Sequence, residues 1–170
     1  MPRHPLATQL RFARSEFVRG LDGVSAADAV RRVPPMNCLS WMVGHLTDQE
    51  HRYWVSLAQQ QDLAPGLNAL VGYGRPASTP PLEEMWAVRR TVTAAADEYL
   101  DSLTPEIMKT FFQRDGRPLD ESVGTLLLRN VFHYWYHTGE AAAVRQVLGH
   151  TDLPEFVGDM EAAAYRPEAG

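Results

Sequence analysis

Val131-Phe132-His133-Tyr134-Trp135-Tyr136-His137-Thr138-Gly139-Glu140 sets two histidines four residues apart in a segment of helical period. At about 100° per residue, helical positions four apart stand one above the other. His133 and His137 therefore project from one face, which they share with Leu126, Val144 and Leu148. A face of that composition points at a core. Two imidazoles stacked on it read either as hydrogen-bonded core histidines or as two nitrogens offered to one metal ion. The second reading needs at least a third ligand from elsewhere in the chain.

Working outward, Ser122 caps this helix and Gly149 closes it. Before it, Asp115-Gly116 is a turn signal that predicts a small β-hairpin. Three more long amphipathic helices precede the hairpin. The first runs from Pro5 to Leu21 on Leu6, Leu10, Phe17 and Leu21. The second starts from Asn37 as cap and spans Cys38 to Gln61, with Leu39, Met42, Val43, Leu46, Tyr53, Trp54 and Leu57 as its stripe. The third starts at Ser78 or Thr79 and reaches Leu103. Between them, Ser25 caps a short turn and Pro34-Pro35 forbids continuation. The stretch 62–80, rich in Gly, Pro and Ala, reads as a long irregular loop of the kind that is often functional or mobile. The tail from His150 to Gly170 is expected to be mostly non-helical. The result is an all-α chain, a four-helix bundle, whose core is the usual place for ligands on facing helices.

Composition excludes several classes. At 170 residues, with 45% hydrophobic and 22% charged residues, the chain reads as a single globular domain, 1–170, able to bury its own core. A net charge of -5 and scattered Lys and Arg offer no stripe that tracks phosphates, so nucleic acid is not an expected partner. No apolar run approaches the roughly 20 residues of a spanning helix, and none after Met1 resembles a signal peptide. A single cysteine, Cys38, rules out an intramolecular disulfide framework. The expectation is a cytoplasmic protein acting on a small molecule, with no membrane partner.

His45 supplies the missing element. It lies on the second helix, beside the apolar stripe and next to Gly44, which permits close backbone approach. Taken alone, a histidine there is more often structural. Glu50 is a carboxylate on an apolar stripe; it reads either as a group near the site or as an ion-pair partner of Arg89, the other charge on such a stripe, with the ion pair preferred. Cys38 reads as a buried, inert thiol. His51 and His150 have no partner at ligand spacing and are expected at solvent or at a helix end. There is no His-Glu-x-x-His, and no Gly-rich phosphate loop.

Gly44-His45-Leu46, followed late in the chain by His133-x-x-x-His137-x-Gly139-Glu140, Leu148-Gly149 and a Leu153-Pro154-Glu155-Phe156 tail, resembles the DinB/YfiT-like superfamily over nearly the whole chain. The resemblance implies an up-down-down-up bundle, a divalent metal held by His45, His133 and His137, and a homodimer. Glu140 stands where many relatives carry glutamine. A carboxylate there is still able to orient an imidazole.

Three neutral imidazoles leave a tetrahedral ion one open position, which lowers the pKa of bound water or activates a thiolate. Zinc is the first expectation for the metal and nickel the second. The resemblance implies a thiol-dependent S-transferase-like activity, with a low-molecular-weight thiol as co-substrate. A metal-dependent hydrolase, using Glu50 or Glu140 as proton acceptor, and a non-catalytic metal-binding stress-response protein are the competing readings.

Overall fold

A computed structural model describes residues 3–155 and 157–164. Helix α1 spans Pro5–Gly20, with Pro5 in the first turn and Nδ1 of His4 accepting from the Leu6 N–H at 3.2 Å. Helix α2 is the short Ala26–Ala29 turn, capped by Ser25. Helix α3 spans Leu39–Glu50 and runs on without a break into a π-helical segment, His51–Leu57. Its cap position is Cys38, not Asn37. The backbone N–H of Asn37 is drawn instead towards Glu140, 3.4 Å from Oε1.

The 62–80 segment is not wholly irregular. Helix α4, Leu67–Val71, forms inside it behind Gly66, whose φ of 82° turns the chain. Leu67 and Val71, four residues apart, are both buried, which is reason enough for one helical turn. Helix α5, Leu82–Leu100, begins after Pro81 and stops short of Leu103. Ser78 does not cap it, because its hydroxyl donates to the Leu70 carbonyl at 2.7 Å. Glu83 and Glu84 in the first turn offset the helix dipole in place of a side-chain cap.

The expected hairpin is present. Strand β1, Gln113–Arg114, pairs antiparallel with β2, Arg117–Pro118, across Asp115 and Gly116. Both turn residues have positive φ, 52° and 73°, as a twist-matched two-residue hairpin turn requires. Helix α6, Val123–Val147, follows its Ser122 cap, and Gly149 ends it at φ 87°. The tail carries a 3-10 turn at Met160–Ala163. Phe156 and residues 165–170, with Pro167, lie outside the described residues.

Side-chain pairings fix the helix directions. Phe12 packs on Trp135, and further along both helices Arg145 Nη1 donates to the Gly20 carbonyl, so α1 and α6 run parallel. Gly44 faces Met85, and Trp54 stacks with Tyr99, so α3 and α5 also run parallel. Gln49 bonds to Asn130 while Trp41 meets His137, which makes α3 antiparallel to α6. Arg3 pairs with Asp101 and Arg11 with Asp97, which sets α1 antiparallel to α5. The bundle is up-down-down-up. No described helix is long and apolar enough to cross a membrane.

The core holds Phe17, Leu10, Leu39, Met42, Leu46, Trp54, Leu100, Leu127 and Tyr134, each essentially without exposure. Each such side chain contributes about 1.5–3 kcal/mol of burial free energy. One charged cluster is sealed among them. Glu50 is fully buried and takes a two-pronged ion pair from Arg14, Nε at 2.8 Å and Nη2 closer still. Tyr134 donates its hydroxyl to the same carboxylate at 2.5 Å, and Arg89 Nη1 donates to that hydroxyl at 3.0 Å. The expected Glu50–Arg89 pair is thus replaced by Arg14, with Tyr134 standing between the two residues.

Candidate metal centre

His45 leaves α3 four residues before Gln49, on the side that faces α6. Two contacts lock its ring. Trp41, one turn earlier, stacks on it with centroids 4.3 Å apart and planes 16° from parallel. Nδ1 lies 2.8 Å from the carbonyl oxygen of Val71, at the end of α4. A carbonyl only accepts, so Nδ1 carries the proton and Nε2 keeps its lone pair. Gly44 makes this possible, because a Cβ there would sit 2.6 Å from Met85 Sδ and 3.1 Å from a Val71 methyl.

His137 is set the same way from α6. Its Nδ1 lies 2.7 Å from Oε2 of Glu140, one turn on, so that ring also donates outward and turns a bare Nε2 inward. His133, one turn earlier, puts its Nε2 3.0 Å from Nε2 of His137. Its Nδ1 is buried with no hydrogen-bond partner among the described residues. One donor nitrogen from each of the three histidines lies within 4.8 Å of the others.

For His45 and His133, burial favours the neutral ring, which is the ligating form. Burial holds His45 below the ordinary histidine value against the opposing Val71 hydrogen bond. Burial first, then the neighbouring His137 and His45, push His133 down to about 3. The Glu140 carboxyl lies below its usual range, chiefly because it accepts from His137. Two rings whose outward Nδ1 protons leave Nε2 bare, and a third whose Nε2 lies 3.0 Å from one of them, form a donor set that fits a divalent ion.

A cleft of about 790 Å³ opens beside the cluster, between the end of α3 with its π-helical extension and α6. His45 and His133 line it, together with Asp48, Gln49, Arg52 and Arg129. Read as a sequence, Asp48, Gln49 and Arg52 fall outside the apolar stripe of the second helix. The missed signal is their spacing from His45, at three, four and seven residues, which repeats the His45 direction along the helix.

Neither expected proton acceptor lines this cleft. Glu50 is held by Arg14 and Tyr134 inside the core, and Glu140 is taken up by His137 and Asn37. The carboxylate that does line it is Asp48, whose Oδ2 accepts from Asn68 at 2.9 Å. Cys38 is buried beside Ser40 and the Ser78 carbonyl, outside the three-histidine group. His51 is buried and not at solvent, accepting the Leu63 N–H at 3.0 Å to anchor the loop after the π-helical turn. His150, just past the end of α6, accepts from Arg145 at 3.1 Å.

An all-α up-down-down-up bundle, with three histidines from two antiparallel helices meeting beside an open cleft, defines a class of potential metal-binding bundle proteins. The DinB superfamily family model matches residues 9–141, and the chain belongs to that superfamily. A search of curated proteins found no match.

Proposed function

We propose that this chain is a divalent-metal-dependent enzyme that joins a low-molecular-weight thiol to a small molecule, with His45, His133 and His137 holding zinc or nickel. The observation that carries this reading is the convergence of three ring nitrogens beside a cleft of about 790 Å³, with no fourth His, Cys, Asp or Glu in the group among the described residues. A purely structural ion favours a closed, four-ligand site, whereas a catalytic one keeps a position open. When bound, the ion supplies Lewis acidity that favours thiolate over thiol at neutral pH.

The protein's own part is positional. Val71 and Glu140 set the tautomers, Trp41 fixes the His45 plane, and the cleft admits a small substrate while the core stays dry. Glu50 and Glu140, the expected proton acceptors of a hydrolase, are both engaged away from the cleft, which counts against hydrolysis through either. A hydrolase reading passes to Asp48, the carboxylate that lines the cleft. The lone, buried Cys38 supports action in the reducing cytoplasm. A homodimer, which the family resemblance implies, belongs to the same proposal.

Metal analysis tests the site first. The purified protein is expected to hold about one equivalent of metal and the His137→Ala variant far less, with its helicity retained. Equal metal in both sinks the three-histidine site. Incubation with candidate thiols and a small electrophile then tests the activity: an adduct that His137→Ala and metal removal both abolish supports transfer. Metal binding without any adduct leaves the non-catalytic reading in its place.

A further inference from the structure

The π-helical extension of α3 hides a chain of amides whose directions are all decided by one indole. Trp54 Nε1 lies 2.7 Å from the side-chain oxygen of Asn130, and both residues are fully buried. An indole N–H only donates, so the Asn130 atom facing it is Oδ1. Asn130 must then present its Nδ2 in the other direction, where it donates to Gln49 Oε1 at 2.8 Å. With Oε1 committed, Gln49 has only its NH₂ group left. That group makes no hydrogen bond with any described residue, and Gln49 lines the cleft next to His45 and His133. A glutamine on a free surface turns either end to a ligand; this one is wired as a donor.

Seven residues after His45, Arg52 lines the same cleft. Its guanidinium lies 4.8 Å from the Tyr53 ring centroid, and Nη2 donates to the Tyr53 hydroxyl at 3.3 Å. It forms no ion pair with a described carboxylate, whereas Arg129 across the cleft is neutralised by Glu121. The acidic group of the lining, Asp48, is only 6% exposed and is tied to Asn68. Exposed aromatic side chains, Tyr73, Phe132 and Tyr136, complete the lining. A fixed NH₂ donor, an uncompensated guanidinium and an aromatic rim are complementary to a carboxylate carried on an apolar body.

We propose that Gln49 and Arg52 read the carboxylate of a small aryl- or alkyl-carboxylate substrate, with Trp54 and Asn130 as positioning residues that hold Gln49 in its donor orientation. This deepens the reading of the cleft as the reactive site and rests on it. It differs from that reading in requiring the anion contact of the chain's own residues, with or without metal.

The test titrates the full chain, as purified and after metal removal, with 3-phenylpropanoate and its neutral amide, 3-phenylpropanamide. Nuclear magnetic resonance reads the Gln49 side-chain NH₂ signals. The carboxylate is expected to shift those signals and to bind about tenfold tighter than the amide, the worth of one charge-assisted contact. Gln49→Glu keeps an acceptor for Asn130 but removes the donor; Arg52→Gln removes the charge. Each is expected to erase the carboxylate preference with an unchanged melting temperature. Asn130→Asp accepts from Trp54 and forces Gln49 to turn its oxygen to the cleft, so it is expected to erase the preference from a distance. If the buried aspartate unfolds the chain, Gln49→Glu still decides. A wild-type protein that binds acid and amide alike, or a preference that survives both cleft substitutions, overturns the proposal. Absence of metal in the purified protein would overturn the three-histidine reading alone, because the carboxylate preference is also measured without metal.

Discussion

Oε2 of Glu140 lies 2.7 Å from Nδ1 of His137, and through that contact a residue outside the cleft decides which nitrogen His137 turns towards His133. Removing the carboxylate frees the ring to rotate and to change tautomer. Glu140→Ala is expected to weaken metal binding by about 10–100-fold. Glu140→Gln should lose less, because the amide oxygen accepts the same N–H while its NH₂ group confronts the Asn37 N–H. Competition against a chelator measures both, and alanine binding metal as tightly as wild type would remove Glu140 from the site.

Arg14 and Glu50 form a buried pair with Tyr134 as third member. Arg14→Leu leaves a fully buried carboxylate without its cation and is expected to cost about 3–5 kcal/mol in urea unfolding. The double variant Arg14→Leu/Glu50→Leu should recover much of that loss, since an apolar pair asks for no desolvation. A double variant as unstable as the single one would show that the pair contributes to stability and not merely to its own compensation.

The tail is held by a carboxylate that titrates. Glu16 accepts from Arg19 at 2.6 Å and from the Gly158 N–H at 2.8 Å, and Arg19 also reaches the Glu155 carbonyl. Arg19 first, and the Gly158 N–H after it, hold the Glu16 carboxyl below its ordinary value of 4.5. A depressed native pKa means that the unfolded chain takes up the proton first. The contribution is therefore complete above about pH 4.5 and is lost as pH falls through the lower native value. Unfolding free energy measured from pH 7 to 3 should fall less steeply in Glu16→Gln than in wild type. Identical slopes would show that this carboxylate does not set the acid limb.

Gly44 sits where α3 meets both α4 and α5. Gly44→Val adds atoms where even a Cβ is 2.6 Å from Met85 Sδ, and is expected to destabilise by about 1–3 kcal/mol. It also pushes Val71 away from His45, so metal affinity should fall with stability. A variant that loses stability and keeps wild-type affinity would separate the two roles.

The long helices were legible because each carries a stripe at helical period wide enough to decide its face: Leu39, Met42, Val43 and Leu46 in α3, Met85, Val92 and Ala96 in α5. So was the His133–His137 pair, since local geometry alone stacks positions four apart. Asn37 and Ser78 were misleading as caps. Both have the right chemistry, and each contacts a group brought near by folding, Glu140 for one and Leu70 for the other. The short α4 escaped notice because one turn leaves no periodicity beyond Leu67 and Val71.

By itself, the sequence determined the four amphipathic helices, the Asp115-Gly116 turn, the shared face of His133 and His137, and a third histidine beside Gly44. Those features depend on neighbours within a turn or two. Folding in three dimensions was needed to settle that Arg14 and not Arg89 takes Glu50, that Val71 chooses the His45 tautomer, and that the polar flank of α3 lines a cleft. Partners at distances of 26, 36 and 81 residues along the chain meet through helix crossing and not through local spacing. A hydrogen bond or ion pair is specified by which group arrives within about 3 Å, and periodicity carries no information about that.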